Sequence, residues 1–348
     1  MSKLYILTGT RYSIKELAKT IGFVAERNGF EITIATATSM HYTKKSLIDR
    51  SIVIYPFYPL FNGIYVAFHY EMLNSPNKKS VYYTMTEGAP LRYLLNPYHK
   101  YLRKVYTPSL YAKKILESSG ITVDGVIPHG FPDFLYDIAE QLKIKYREKI
   151  ERDFSGKVIV GAIADSLQRK NANGLAEALK LLGAQRNDYV ALIMTSQDIS
   201  QKFDNIPNTY IVGVTGEQTH QEVLGWMGAI DIFVAPSMAE AFGLTILEAN
   251  YMGTPVVAPL LEPYREFANT DYNYFFEYEN EEEIQSKEGV VMKLAKFSPL
   301  TLANALSTAI DEVIQNRNTY EERKIKVQEK AQTFKASEVY KKLLDLVN

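Results

Sequence analysis

The stretch from Asp231 to Val257, DIFVAPSMAEAFGLTILEANYMGTPVV, restricts the fold more than any other part of the chain. Ile232 to Ala235 is a short apolar run of the kind that forms a buried strand, and Pro236-Ser237 ends it with a turn signal. Ala239-Glu240-Ala241-Phe242-Gly243 is a short loop with one carboxylate and one glycine, and Leu244 to Tyr251 supplies helix formers before a glycine stop at Gly253. Strand, loop and helix in that order predict one unit of a parallel α/β sheet, in which ligands sit outside the carboxyl ends of the strands. A helix starting there offers unpaired N–H groups, so the amides of Phe242, Gly243 and Leu244 are placed for an anion such as phosphate. Glu240 and Glu248 are eight residues apart and can face one cleft at different depths. Carboxylates repel phosphate, so hydroxyl groups are their natural partners.

This passage resembles the Glu-x7-Glu motif of retaining glycosyltransferases with two Rossmann-like domains, the GT-B enzymes. In their family 4 it usually reads close to PSxxEgFGlxxlEAmaxGtPVva; here Asn250 and Tyr251 stand where Met-Ala is usual. The resemblance implies an α/β fold of two doubly wound parallel-sheet domains facing each other across a cleft. It implies transfer of a sugar, of hexosyl type, from a nucleotide-diphosphate donor to an acceptor hydroxyl with retention and without metal or cofactor. Glu240 would hold sugar hydroxyls, Glu248 the ribose, and Ala241, Phe242, Gly243 and Leu244 the rest of the donor.

A chain of 348 residues exceeds the size at which one core stops growing, so two domains are expected. The reading places them at 1–152 and 153–332, with the terminal helix, about 333–348, returning to the first. The composition, 46% hydrophobic and 23% charged, is that of an ordinary globular protein. The absence of cysteine excludes disulfides, thiolate catalysis and zinc-thiolate or iron-sulfur sites. His41, His69, His99, His129 and His220 show no metal-ligand spacing, and no Asp-x-Asp triplet occurs to hold a cation on a diphosphate. MSKLYILTGT reads as a first strand and not as a secretory signal, and no run approaches a membrane span, so a cytoplasmic protein is expected. Residues 1–150 carry 20 basic and 12 acidic side chains, the remainder 19 and 28. The basic half suits a negatively charged acceptor, a membrane surface or nucleic acid, or is a chance spread of surface lysines, since no basic block exceeds two residues; nucleic acid is not expected as a partner.

In chain order, Lys3 to Thr8 predicts the first strand. Gly9-Thr10 turns it into a helix near Ser13 to Asn28, with Ser13 and Glu16 in capping-box spacing. In the resembled family a glycine-rich loop here lets the backbone approach phosphate and acceptor; Gly9 and Thr10 keep that place, or form only a tight turn. Ile52 to Tyr58, Ile64 to His69 and Ser80 to Met85 read as further strands. Glu87, following the last of these, is a candidate for the acid that family members hold near the acceptor, or a plain turn residue. Between Arg92 and Lys114 basic and tyrosine residues interleave, as for contact with lipid headgroups or a glycan, or as solvated lysines over core tyrosines.

Val126-Ile127-Pro128-His129-Gly130 resembles the viPnGvd that closes the family's first domain, with His129 replacing Asn at the interdomain cleft. Pro132 to Asp153 reads as helical. The second unit is expected as strand 158–164, loop 165–173, helix 174–182, strands 190–195 and 209–214, helix 218–227 and then the opening passage. In the family a strand ending in Gly-Arg precedes Lys-Gly or Lys-Asn, and the Arg and Lys clamp the diphosphate; here Lys170-Asn171 fits, the expected Arg position is Ala162, and either Arg169 substitutes or the phosphate site has one cation fewer. Gly213 and Val214 resemble the segment that packs on the nucleotide base. Residues 269–283 read as a surface loop, 289–291 as the strand closing the sheet, and 299–347 as helical. The resemblance implies a nucleotide sugar as donor, a glycan, lipid-linked or protein acceptor, and possible peripheral membrane contact. A sugar-nucleotide epimerase, a phosphorylase or a non-catalytic binding subunit on the same fold are the rival readings.

Overall fold

The computed structural model describes residues 2–39 and 48–348; His41 lies outside them. The first lobe comprises β1 (Ser2–Thr8), α1 (Tyr12–Arg27), β2 (Phe30–Thr36), β3 (Arg50–Ile54), α2 (Gly63–Leu73), β4 (Lys79–Tyr83), β5 (Gly88–Pro90), β6 (Val105–Thr107), α3 (Leu110–Ser118) and β7 (Gly125–Val126). All but β5 form a parallel sheet in the order β2-β1-β3-β4-β6-β7, so the winding reverses between β1 and β3.

The second lobe comprises α4 (Tyr136–Asp153), β8 (Val158–Ala164), α5 (Ala172–Gly183), β9 (Tyr189–Thr195), β10 (Thr209–Val214), α6 (His220–Ala229), β11 (Ile232–Val234), α7 (Leu244–Tyr251), β12 (Val256–Pro259), α8 (Tyr264–Phe267) and β13 (Tyr274–Phe276). Its parallel sheet runs β10-β9-β8-β11-β12-β13 and reverses between β8 and β11. After β14 (Asn280–Gln285) and β15 (Val290–Lys296), the chain ends in α9 (Pro299–Gln315), α10 (Arg317–Ala331), α11 (Ala336–Val339) and α12 (Lys341–Asp345).

The central strands are buried on both faces, as helix-covered parallel sheets require. In β8, Ile159 belongs to one core layer with Phe233 and Trp226, whereas Val160, Ala162 and Ala164 belong to the other with Leu175 and Leu306. That alternation decides the question of Ala162. Its side chain is fully buried against α5 and α9 and does not face the cleft.

Several sequence expectations are corrected. Ile64 to His69 lies in α2 and not in a strand. Its apolar run is buried at Tyr65, Val66, Phe68 and Met72, a pattern that periodicity cannot tell from a buried strand. The segment 269–283 is not a loop: β13 closes the second sheet, entered through Asn273, whose amide oxygen accepts from Val256 N at 2.9 Å. Residues 289–291 do not close that sheet. Val290 and Val291 open β15, which pairs antiparallel with β14 and with β5 of the first lobe. The Ser13 capping box is absent, since α1 starts at Tyr12 after an N-cap, Arg11, without a side-chain bond; Thr219 and Glu222 form one at α6 instead. α4 packs Ala139 and Ile150 into the second lobe's core, so the chain crosses over before Tyr136, ahead of the 152/153 division read from the sequence.

The C-terminal helices return to the first lobe. Ala336, Val339, Tyr340, Leu343 and Leu344 share a core with Leu4, Ile6 and Ile21, and Tyr340 Oη accepts from Gly130 N at 3.0 Å. Leu343 is fully buried there. Leu343→Ala is expected to cost about 2–5 kcal/mol in urea unfolding; a wild-type midpoint would mean that these helices do not complete the first core.

Candidate active site

The carboxyl ends of both parallel sheets face a shared cavity of about 530 Å³ lined by residues from the two lobes. Its second-lobe wall is the reversal between β8 and β11: Ile163 and Asp165 end and follow β8, and Ala235 to Ser237 follow β11. The loop from Ala239 to Gly243 leads into α7. Gly243 makes the turn possible, with φ +113° and the Tyr264 ring 2.6 Å from where a Cβ would stand. Ala241, Phe242, Gly243 and Leu244 all line the cavity.

Four charged side chains meet at its floor. Lys170 Nζ donates to Glu240 Oε1; Arg169 Nη1 lies 3.2 Å from Glu240 Oε2, and Arg169 Nη2 lies 2.7 Å from Glu87 Oε1. Tyr58 Oη donates to the other Glu87 oxygen at 2.9 Å. Glu87 and Tyr58 belong to the first lobe and Arg169, Lys170 and Glu240 to the second, so the cluster spans the cleft. Burial pushes the Glu240 carboxyl up, but Lys170 and Arg169 outweigh it and hold it down to about 2. Burial lowers the Arg169 guanidinium, and Glu87 and Glu240 more than reverse that, leaving it raised and charged. The turn over Gln168–Lys170 aims both cations inward, and Asn171, in the left-handed region at φ +54°, caps α5 through a side-chain bond to Gly174 N.

Glu248 lies on the same cavity in the second turn of α7. Its Oε1 is 2.7 Å from His220 Nε2, and Glu16 of α1 lies 3.9 Å from His220 Nδ1. Glu240, Glu248 and Lys170 therefore line one crevice. His129 also lines it, with Nδ1 2.9 Å from Tyr83 Oη and its ring edge-on to Phe242 at 5.1 Å. Burial lowers this imidazole to about 3, so it is neutral.

Other expected residues lie elsewhere. Gly213 and Val214 are not among the lining residues; Thr215, Gly216 and Gln218 are, because the Gln218 amide packs over Gly213, 2.8 Å from where a Cβ would stand. Gly9 and Thr10 line a second cavity of about 270 Å³. Arg11, Tyr12, Glu16, Tyr58 and His220 are on the site and were not expected there. Only Glu16 carried a local signal, and its spacing suggested a helix cap. Among the described residues no group of three or more His, Asp or Glu side chains is arranged to hold a metal ion.

Residues 145–291 match the family described as glycosyl transferases group 1. The matched stretch runs from within α4 to the start of β15. Over 349 aligned residues, 99% of this chain and 100% of the relative, the chain is 27% identical to uncharacterized glycosyltransferase 335 of Sulfolobus islandicus rod-shaped virus 1. It is 35% identical over 104 residues, 27% of this chain and 25% of the relative, to the D-inositol 3-phosphate glycosyltransferase of Arthrobacter sp. (strain FB24). Among solved structures, a glycosyltransferase of Rickettsia africae ESF-5 superposes with a TM-score of 0.72 at 15% identity, covering 99% of this chain and 97% of the other. Anabaena HepE in complex with UDP-glucose gives 0.71 at 15%, covering 99% of each. The fold is GT-B, with two parallel-sheet lobes across a cleft.

The His220–Glu248 pair has a pH signature. Burial lowers the imidazole, but Glu248 and Glu16 outweigh it, so its pKa lies above the ordinary 6.5. Its charged form contributes stability that is complete below about pH 6.5 and is lost as pH rises through the raised folded value. His220→Gln is expected to flatten the stability curve in that window, measured by urea unfolding against pH. A curve unchanged by the substitution would place the titration elsewhere.

Proposed function

We propose that this protein moves a sugar from a nucleoside diphosphate to an acceptor hydroxyl, with retention at the anomeric carbon and without a metal. The observation that carries this reading is the placement of Glu240, Lys170, Arg169 and Glu248 on one cavity at the reversal point of the second sheet. The departing diphosphate takes Lys170, Arg169 and the amides at the start of α7, where negative charge grows as the bond from anomeric carbon to phosphate oxygen breaks. Glu240, released from its cations, accepts from sugar hydroxyls, and Glu248 from the ribose. The acceptor oxygen bonds to the same face of the anomeric carbon, and its proton passes to the departing phosphate oxygen.

The fit to family 4, the hexosyl type and a cytoplasmic site are parts of the same proposal, as nucleotide-sugar use suggests. Glucose is a first donor to test, because HepE is a structural relative described with UDP-glucose. Peripheral contact with a membrane is supported by the basic stretch from Arg92 to Lys104, where Tyr93 is 75% and Tyr101 53% exposed. Among the described residues no helix is long and apolar enough to cross one. The non-catalytic reading rested on the missing cation at Ala162, and Arg169 on the cavity leaves it without that support.

Lys170→Ala is expected to lower turnover by about 10²-fold or more, the scale of losing one oxyanion donor; near-normal turnover would remove Lys170 from the chemistry. Glu248→Ala should weaken nucleotide binding in calorimetry, and an unchanged affinity would count against a ribose contact.

A further inference from the structure

One rim of the larger cavity is built by three helices from both lobes. His220 opens α6, Glu248 lies in the second turn of α7, and Glu16 comes from α1 of the first lobe; all three line the cavity. The His220, Glu248 and Glu16 side chains are 14%, 12% and 16% exposed, so the imidazole is held between two carboxylates and not out in solvent. His220 Nε2 donates to Glu248 Oε1 at 2.7 Å, and Nδ1 stands 3.9 Å from Glu16 Oε2. Glu248 Oε1 is thereby engaged, and Oε2 is the oxygen left for a ligand. Tyr12 of α1 reaches the same rim, its hydroxyl donating to the Gln218 carbonyl at 3.4 Å. A second-lobe carboxylate is thus braced from the first lobe.

The net charge of this corner depends on His220. Lys19 Nζ donates to Glu16 on the same helix at 2.6 Å. Tyr12 is pushed up to about 12, by burial first and then by Glu16 and Glu248; Tyr340, buried and near Glu248, is raised as well, so both phenols stay neutral. Two carboxylates and one ammonium leave one negative charge beside a neutral imidazole and none beside an imidazolium. Burial and the N-terminal end of α6 both disfavour the cation, and Lys19 adds to them; Glu248 and Glu16 outweigh all three.

We infer that His220 is a positioning residue for the nucleotide: it holds Glu248 by one oxygen, turns the other to the ribose, and supplies a positive charge when a diphosphate enters. The inference rests on the nucleotide-sugar reading and adds what fixes and charges its ribose contact. A diphosphate brings negative charge into the cavity and favours the imidazolium more strongly than the free protein does. By linkage, binding takes up a proton. Affinity is then greatest below the ring's pKa in the free protein, and it falls as pH rises through that value toward the higher one of the complex.

The test is calorimetry of uridine, adenosine, guanosine and thymidine diphosphate glucose on the intact chain, between about pH 6 and 8.5, where the raised imidazole titrates. The diphosphate of these ligands is esterified at both ends and does not titrate there. Each titration is run in two buffers of different ionisation enthalpy, which counts the protons exchanged. The wild type is expected to take up a proton on binding and to lose about tenfold in affinity across that range, one pKa unit of linkage. His220→Gln keeps a donor for Glu248 and drops the charge. It should match the wild type at the alkaline end, bind about tenfold more weakly at the acid end, and show no uptake. His220→Ala, without donor or charge, is weaker at every pH, and Glu16→Gln moves the fall in affinity to lower pH. An equal loss at all pH in both His220 variants is what a purely structural role predicts. That result, or proton uptake unchanged in His220→Gln, overturns the inference and leaves the nucleotide reading standing. A chain that binds none of these nucleotide sugars sinks that reading and the inference with it.

Discussion

Two carboxylates and two cations share one largely buried cluster, and the cleft is organised by their mutual neutralisation. Each of Glu87, Arg169, Glu240 and Lys170 would be costly to bury alone. Together they balance, with the Arg169 guanidinium bridging Glu87 of the first lobe and Glu240 of the second. Such a pair adds little net stability, because desolvation cancels much of the attraction, but removing one member strands a buried charge at about 3–5 kcal/mol. An anion that draws Lys170 or Arg169 away from Glu240 must therefore bring the carboxylate a new partner. A ligand carrying phosphate and hydroxyl groups together supplies both.

The backbone around this cluster holds the lobes in register. β5 begins immediately after Glu87 and pairs with β15, so the ion pair and the interlobe ladder follow one another along the chain. On the opposite rim Glu266 accepts from the amides of Leu110 and Tyr111 at 2.7 and 2.9 Å, and a second-lobe carboxylate thereby caps the first-lobe helix α3. Ser109 adds a bond of 2.6 Å to the Ala241 carbonyl, directly beside the acidic loop. Separation of the lobes breaks all of these and leaves helix-end and strand-edge groups for water to satisfy.

The parts of this arrangement that were legible in the sequence are those written in consecutive residues. Asp231 to Val257 yields its strand, turn and helix from local signals, and Lys170 is marked by its place in the Lys-Asn pair of the resembled family. The unread parts are long-range. Glu87 finds Arg169, His220 finds Glu248 and Arg11 finds Glu288 across gaps that no periodicity spans. The β5–β15 pairing joins segments some two hundred residues apart, and an acidic run such as Glu281-Glu282-Glu283 hides its strand, because β14 is an exposed outer strand with no buried face to write an alternation. α2 fails for the opposite reason: with apolar residues around its whole circumference, it has no amphipathic stripe to distinguish it from a buried strand.

The two reversal points explain why so divided a set of residues can serve one cavity. In each sheet the loops on either side of the reversal splay apart and leave a crevice at the carboxyl end. The lobes are packed with these ends facing each other, so the crevice of the first sheet opens into that of the second through Arg11 and Ile14. The wall bearing Tyr55 and Phe61 and the wall bearing Glu240 and Glu248 are thereby brought to adjoining positions by main-chain topology alone. Side chains are then left to set charge. The larger cavity carries Arg169 and Lys170 matched by Glu87 and Glu240, and the smaller one carries Arg11 matched by Glu288. In both crevices the charges are paired, so a charged ligand enters either one by exchanging partners within an ion pair and not by claiming a free charge.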